Sequence, residues 1–310
     1  MATVGSPIAF PVADAGSVHA FALSGSATSD GELSLSVNGK YVVVGGYNRA
    51  AGVTCNVVNA SAATVNRMIA RIDAANGVDT STLLGGSAFS GNNIRGVATL
   101  DGTQFWAGGA GGANAGVWYI THGQTTPAPV QVYSLSAVRW LGIFNDKLYG
   151  TSSNSPNQNV FTVSTASSDL PTTAGAALVS LADMAPAQYS PFGFAVVDRN
   201  GNGAVDTVYM ADDGMGTMPV NDQGIQKWTL SGGTWGRDTS FTVTPAIGYR
   251  GLAALVTATD VVTLVATTAE TANNRIYVFV DSGSGSPTST LMGTSSNNTL
   301  YRGVAFSPHL

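Results

Sequence analysis

One pattern of hydrophobic and polar positions recurs along the chain, built from short apolar runs that Gly, Asn, Asp and Ser separate. Each copy opens with an apolar run that contains Arg-Gly or a variant, as in Tyr249-Arg250-Gly251-Leu252-Ala253. A second run that ends in small residues follows at 261–267, a third at 274–281 and a fourth at 288–293. Runs of this length with turn residues between them predict antiparallel β-strands, four to a unit.

The opening phrase identifies the copies. Its clear copies are Ile94-Arg95-Gly96-Val97-Ala98, Val138-Arg139-Trp140-Leu141-Gly142, Tyr249-Arg250-Gly251-Leu252-Ala253 and Tyr301-Arg302-Gly303-Val304-Ala305, and degenerate copies lie at 33–37 and 191–197. Four strands per unit at a period of about 50 residues are typical of β-propeller blades, which stack because one blade cannot bury both faces alone. We therefore predict an all-β chain that folds as a single β-propeller of six four-stranded blades.

The predicted blades span about 30–92, 93–136, 137–189, 190–247 and 248–299, and the sixth joins 300–310 to 1–29. The C-terminal copy is cut short after Phe306, so its blade needs N-terminal strands, for which 6–12 and 18–23 are candidates. Pairing of N- and C-terminal strands would close the ring and remove open sheet edges. Seven blades are the alternative if 48–67 holds extra strands. The sixth blade is still one strand short, which indicates a truncated or irregular blade or an edge that accepts a strand from another molecule.

Composition narrows the class of protein. The sequence is 44% hydrophobic and 10% charged, which excludes a disordered chain, and it has two Glu and three Lys, too few for a helical bundle. The net charge is −5 and the basic residues are few and scattered, so we expect no nucleic-acid partner. We also expect no membrane insertion, because no apolar stretch reaches spanning length. Richness in Gly, Ser, Thr and Asn is typical of secreted or cell-surface proteins. We expect that location, although residues 1–10 lack a signal peptide, and the single Cys55 allows no intrachain disulfide.

The segment 198–206 has the spacing of a calcium-binding loop. Oxygen-bearing side chains stand at alternate positions and Gly201 and Gly203 allow a sharp turn. The predicted ligands are the side chains of Asp198, Asn200, Asn202 and Asp206 and the backbone carbonyl of Ala204. An EF-hand is excluded because Tyr209 stands where that loop needs Glu. The alternative is a hairpin turn without a metal, since Asn, Asp and Gly dominate turns for conformational reasons.

With its flanks, from Phe192 to Ala211, this segment resembles the FG-GAP repeat of integrin-type β-propellers. The resemblance implies that the loop joins the first two strands of a blade around a structural calcium ion. It covers one blade, and Asn200 and Asn202 replace two of the expected acids, which lowers the ligand charge. The repeats as a whole resemble those of secreted bacterial β-propeller proteins, which implies the architecture and no particular chemistry.

Arginine recurs at one position of the opening phrase, as Arg95, Arg139, Arg250 and Arg302. Ring closure would place these side chains at a similar height near the axis, where guanidinium groups could bind a carboxylate, a sulfate or a uronic acid. The alternative is that each Arg binds carbonyls or an Asp of the next blade and holds the blades together.

Other chemistry-bearing residues give weaker signals. Asp212, Asp213 and Asp222 could gather on one face of the fourth blade, where paired carboxylates would suit glycoside cleavage, but Asp is also common in turns. The histidines are dispersed and match no metal-site or catalytic-triad spacing.

These observations favour a non-enzymatic extracellular propeller that serves recognition, adhesion or structure and is stabilised by Ca²⁺. A glycan or other anionic ligand and self-association through the incomplete terminal blade are the expected partners. The alternative is an enzyme acting on polysaccharides or lactones at the central face. Convergence of carboxylates in an axial pocket would favour the enzyme.

Overall fold

The computed structural model describes residues 5–53, 55–123, 129–154, 159–181, 189–214 and 223–309, and its strands form five antiparallel sheets in chain order. The first sheet contains β1 (Phe21–Ala22), β2 (Leu33–Leu35), β3 (Tyr41–Asn48), β4 (Arg67–Asp73) and β5 (Val78–Leu83). The second contains β6 (Ile94–Thr99), β7 (Gln104–Gly109), β8 (Gly116–Thr121) and β9 (Val130–Tyr133). The third contains β10 (Leu141–Phe144), β11 (Lys147–Ser152), β12 (Asn159–Ser164) and β13 (Ala177–Ser180). The fourth contains β14 (Pro191–Val197), β15 (Thr207–Asp212), β16 (Gly224–Ser231) and β17 (Thr234–Arg237), and the fifth contains β18 (Tyr249–Ala258), β19 (Val261–Thr268), β20 (Arg275–Asp281) and β21 (Thr288–Thr294).

These sheets are the blades of a single β-propeller, so the all-β propeller prediction is confirmed. Within each of blades 2 to 5 the strands pair in chain order, which makes every connection inside a blade a hairpin. The described residues hold one short 3₁₀ turn, Gly112–Asn114, and no helix among them is long and apolar enough to cross a membrane.

The hydrophobic core is divided among the junctions between consecutive blades. Each junction holds its own cluster of buried side chains, because strand residues alternate between the two faces of a sheet and both faces must be covered. Large members are Phe89 and Phe105 between blades 1 and 2, Trp106 and Phe161 between blades 2 and 3, Phe194 and Trp228 between blades 3 and 4, and Tyr209 and Phe279 between blades 4 and 5.

A buried ion pair also joins blades 4 and 5. Lys227 Nζ on β16 lies 2.8 Å from Asp281 Oδ2 on β20, and both side chains are 1% exposed. The Tyr209 hydroxyl donates to the same carboxylate. Burying these charges is tolerated because each has a partner of opposite charge or a hydrogen bond.

The inner strands pack closely around the axis, and the glycine of the opening phrase makes this possible. A Cβ on Gly251 would lie 2.7 Å from the Arg302 carbonyl, and one on Gly303 would lie 2.2 Å from the Leu33 backbone nitrogen. Only glycine allows the next backbone to approach so closely. The inner ring therefore has six segments: β2, β6, β10, β14, β18 and residues 302–306, which we call the tail.

The prediction of six blades is wrong, as is the alternative of seven, because the described residues form five. The tail takes a place in the ring but forms no strand. The predicted N-terminal strands do not pair with it. Phe21 and Ala22 instead pair with Asn48 and Tyr47 on β3, and Phe10 and Phe21 cover the apolar face of blade 1. Between β3 and β4 the described residues form turns and add no strand.

Candidate functional site

The four predicted arginines all belong to the first residues of inner segments, at the same end of the ring. Arg95 lies on β6, Arg139 precedes β10, Arg250 lies on β18 and Arg302 lies in the tail. In blade 4 the equivalent residue is Phe192. Its ring lies 4.2 Å from the Arg139 guanidinium carbon and 5.2 Å from that of Arg250, measured to the ring centroid. Two of the arginines therefore meet over one aromatic ring.

Three of these arginines bind groups of the protein. Arg250 Nη2 lies 3.1 Å from Asp213 Oδ2, which follows β15 of blade 4. Arg302 binds the buried carboxylate of Asp30 and the carbonyls of Ser24 and Ala27. Arg139 donates to the Ser190 hydroxyl at 2.8 Å and to the Pro191 carbonyl at 3.1 Å. Each contact links two neighbouring ring segments.

The carboxylate of Glu32, by contrast, has no such partner. Glu32 immediately precedes β2, and its side chain is 4% exposed. Within the described part of the chain neither of its carboxylate oxygens has a hydrogen-bond partner. Burial raises the pKa of Glu32 well above its usual range, although Arg95, Arg139 and Arg250 oppose this shift. Nε and Nη1 of Arg95 are also buried without a partner among the described residues. The Glu32 carboxylate, a hydrogen-bond acceptor, and the Arg95 guanidinium, a donor, thus both have unmet hydrogen bonds near the axis.

Further acids gather at this end. Burial raises the pKa of Asp30 and of Asp212. The negative charges of Asp213 and Asp212 both raise the pKa of Arg139, against the lowering by burial. We call the set Asp30, Glu32, Arg95, Arg139, Asp212, Asp213, Arg250 and Arg302 the axial charge cluster. It combines four cations with four carboxyl groups. Asp212 and Asp213 were predicted from the sequence, whereas Asp30 and Glu32 were not, and Asp222 lies outside the described residues.

The missed acids had one signal in the sequence. The first inner segment reads Gly31-Glu32-Leu33-Ser34, which places Glu32 where Arg250-Gly251-Leu252-Ala253 has glycine. Alignment of the degenerate copy with the clear ones would have shown an acid at an axial position.

Little open space remains inside the axial charge cluster. A cavity lined by Asp30, Glu32, Trp140, Arg250 and Arg302 leaves about 20 Å³ for the centres of water molecules, room for roughly one water. Further along the inner strands lies a larger cavity of about 140 Å³ with mainly apolar walls, among them Leu33, Phe144, Phe194 and Phe306.

The predicted calcium loop follows β14 and lies on the surface. Asp198 accepts hydrogen bonds from the backbone N–H groups of Gly201, Asn202 and Gly203, and Asp206 accepts from those of Arg199 and Asn200. Both carboxylates therefore face the inside of the loop. A carboxylate has about four acceptor sites, so both keep capacity for a cation. Oxygen ligands from carboxylates, amides and a carbonyl are the kind that calcium takes.

One histidine lies close to both a serine and an aspartate, the residue types of a catalytic triad, but the three side chains do not have the geometry of a triad. His122 Nε2 lies 2.7 Å from Asp79 Oδ2 and 3.4 Å from Ser81 Oγ. A triad needs the carboxylate on one ring nitrogen and the hydroxyl on the other. Here both contact the same nitrogen, and Ser81 donates to Asp79. The group therefore links β5 of blade 1 to the end of β8 in blade 2 and lacks the relay geometry.

Among the comparisons with known proteins, one solved structure bears on the fold. No family model matches the chain, and no curated protein matches it significantly, so the FG-GAP resemblance stays a prediction. Among solved structures, the GH74 enzyme of Niastella koreensis is 17% identical with a TM-score of 0.51, over 85% of this chain and 38% of that one. Sqt1 of Saccharomyces cerevisiae is 11% identical with a TM-score of 0.42, over 86% of this chain and 62% of that one. The apocarotenoid oxygenase of Synechocystis is 12% identical with a TM-score of 0.41, over 89% of this chain and 66% of that one.

The chain thus spans less than two thirds of the length of these structures. At 17% identity and a TM-score of 0.51, the likeness to the GH74 enzyme supports the propeller fold and says nothing about activity.

Proposed function

We propose that the chain is a non-enzymatic recognition propeller that acts outside the cell. The observation that carries this proposal is that most arginines of the axial charge cluster bind other groups of the protein. Arg139, Arg250 and Arg302 bind carboxylates, hydroxyls and carbonyls between ring segments, and the cavity among them holds about one water. An enzyme needs a cavity that admits its substrate to the reacting groups. The axial cluster suits ring closure better than turnover.

The ligand class we propose for the axial face is a glycan or another anionic molecule. Arg95 keeps two N–H groups and Glu32 two oxygens without partners in the described structure. A hydroxyl group can donate to a carboxylate and accept from a guanidinium. Because the cavity beside Glu32 admits about one water, we propose that the glycan stays at the mouth of the axial charge cluster and that a bridging water links its hydroxyl groups to these two side chains.

An array of neutral and acidic glycans tests this proposal. We expect binding that falls at least ten-fold in Arg95→Met, whereas Arg275→Met, which removes an arginine from β20, should bind like the wild type. No product should accumulate from the bound glycans. Binding that is unchanged in Arg95→Met would contradict the axial site.

The second candidate is an enzyme acting on polysaccharides or lactones. The four carboxyl groups of the axial charge cluster favour it, because converging carboxyl groups suit such an enzyme. Burial also raises the pKa of Glu32, which is the direction that suits a general acid. Steady product release from a polysaccharide or lactone panel, lost in Glu32→Gln and kept in Asp101→Asn on a distant turn, would replace the recognition proposal with this one.

We also propose that one calcium ion stabilises the loop 198–206. An ion that binds only the folded state adds about 2.7 kcal/mol at 100 times its Kd. Calcium should therefore raise the melting temperature of the wild type, and the increment should vanish in Asp198→Ala and persist in Asp101→Ala. Equal melting in calcium and in a chelator would show that the loop is only a turn.

A further inference from the structure

We propose that the seam between blades 5 and 1 is a binding site for a β-strand of another polypeptide, one with an uncharged, mainly apolar sequence. The strand would pair with the free edge of the tail and lie against blade 5. This inference is independent of the axial site, because it rests on a different surface.

The first observation is an unpaired backbone. Gly303 donates to the Gly31 carbonyl and His309 to the Gly39 carbonyl. Between them, Val304, Ala305 and Phe306 are half-buried and make no hydrogen bond within the described structure. Backbone groups in such positions are nearly always paired, and an extended segment with free N–H and C=O groups is a template for strand addition.

The second observation is the uncovered face of blade 5. On β19, Val265 pairs with Ala253 of the inner strand. In the other blades the equivalent second-strand residue also pairs with the inner strand. These pairs are Val43 with Ser34, Trp106 with Ala98, Tyr149 with Gly142 and Tyr209 with Ala195. All four are at most 4% exposed.

Val265 is only half-buried, by contrast, and so are Val278 and Val280 on β20, while Leu255 on β18 is 49% exposed. The face that the next sheet covers in blades 1 to 4 is therefore open in blade 5, where Leu255 and the valines share it with the uncharged side chains of Thr263, Thr288 and Thr290. Repetition of the blade stack indicates what fits there, namely a β-strand with apolar side chains.

The third observation is a groove on the other side of the tail. It has a volume of about 320 Å³, and its walls include Ile8, Phe10, Val42, Ile72 and Phe306. Ile8 is 41% exposed. Alternate side chains of a strand point to opposite faces. A strand paired with the tail would direct one set toward Val265 and Leu255 and the other toward this groove, so both sets should be apolar.

The probe is a fluorescein-labelled peptide with the sequence of residues 261–268, which carries no charge, and lysines are added outside this stretch for solubility. In blade 5 this stretch contains β19, the strand that pairs with β18, and Leu252-Ala253 of β18 corresponds to Val304-Ala305 of the tail. The control peptide has proline at the positions of Val262 and Leu264, because proline has no N–H and cannot complete a ladder.

Fluorescence anisotropy should show saturable binding of the first peptide and at least ten-fold weaker binding of the proline peptide. Val265→Lys should weaken binding at least ten-fold, whereas Val179→Lys, an equally drastic change at an exposed position on β13, should not. Hydrogen exchange at the amides of Ala305 and Phe306 should slow when the peptide is bound. This last readout separates strand pairing from general hydrophobic adsorption.

Three outcomes would overturn the proposal. They are absence of binding to the wild type at millimolar peptide, equal binding of both peptides, and binding unchanged by Val265→Lys in a variant that melts like the wild type. A dimer seen by sedimentation and lost in Val265→Lys, without peptide binding, would replace the partner strand by a second copy of this chain. Glycan binding at the axis is unaffected by any of these results.

Discussion

Removal of the Arg302 guanidinium should destabilise the seam where the two ends of the ring meet. The Asp30 side chain is fully buried and that of Arg302 is 17% exposed. Breaking a buried pair by removing one partner costs about 3–5 kcal/mol, since the other charge stays buried. Asp30 keeps a bond from the Ser24 backbone N–H at 2.8 Å, so we expect about 3 kcal/mol for Arg302→Met.

Urea denaturation at pH 7 measures this loss, with Arg275→Met as the matched control. Arg275 pairs with Glu270 at the surface, where the side chains are 26% and 36% exposed, and such pairs contribute about 0–1 kcal/mol. The double variant Asp30→Asn with Arg302→Met should recover part of the loss, because no charge is then left buried. A change below about 1 kcal/mol for Arg302→Met would refute the reasoning.

The same variant has a pH signature. Burial already raises the pKa of Asp30, and Arg302 is the main opposing influence. Without Arg302 the folded-state pKa rises further above its value in the unfolded chain, so the native state binds the proton more tightly. Stability present at low pH is then lost as pH rises through the folded-state pKa. The deficit of Arg302→Met should therefore shrink as the pH is lowered toward 4, and a deficit independent of pH would contradict this account.

Two further changes test the axis. Glu32→Gln should be more stable than the wild type at pH 7, because the raised pKa of Glu32 means that the wild type loses stability as pH rises above 4.5, the usual value; the difference between the two melting temperatures should close on acidification. Gly303→Ala should cost about 1–3 kcal/mol by overpacking, because its Cβ would lie 2.2 Å from the Leu33 nitrogen, whereas Gly236→Ala, with nothing within 4 Å, should melt within a degree or two of the wild type.

The repeat and its axial arginines were predictable because they depend on local sequence. The Arg-Gly phrase combines a strand signal with a glycine at a place of close backbone approach, as Gly251 shows against Arg302. Any repeated unit with these properties places equivalent residues at equivalent radius. The positions of Arg95, Arg139, Arg250 and Arg302 on inner segments follow from that repetition.

The number of blades was not predictable in this way, because a sheet depends on partners far apart in the chain. The tail has the sequence of an inner strand, and Val304-Ala305 matches Leu252-Ala253. Whether it begins a sheet depends on a second strand, and Phe21 and Ala22 pair with β3 instead. Phe21 stacks on Phe10 with centroids 4.5 Å apart over the apolar face of blade 1. Burial of two aromatic rings there outweighs one short strand pairing.

The contacts between buried charged residues could not be predicted from the local sequence pattern either. Lys227 and Asp281 lie in separate blades, and nothing in the spacing of either strand indicates that they meet at 2.8 Å. Glu32 lines one cavity together with Gly251 of β18 and Arg302 of the tail, which lie more than 200 residues further along the chain. Such contacts arise only when the ring closes.

Charge balance explains why the axis departs from a simple repeat. Four arginines at one height would repel each other strongly in a low-dielectric interior, and burial lowers the pKa of Arg139 to about 10 while Arg95 adds to this effect. In two of the blades the repeat has another residue at the arginine position, and each replacement reduces that repulsion. Blade 4 replaces the arginine by Phe192, whose ring accepts the two neighbouring guanidinium groups.

Blade 1 likewise has Gly31 at the arginine position and Glu32 beside it. The carboxyl groups of Asp30 and Asp213 bind Arg302 and Arg250 directly, while Glu32 and Arg95 stay unbonded in the described structure. If ring closure alone governed the axis, these two groups would also be paired. In the proposed function, these unmet hydrogen bonds are the part of the cluster that the ligand contacts.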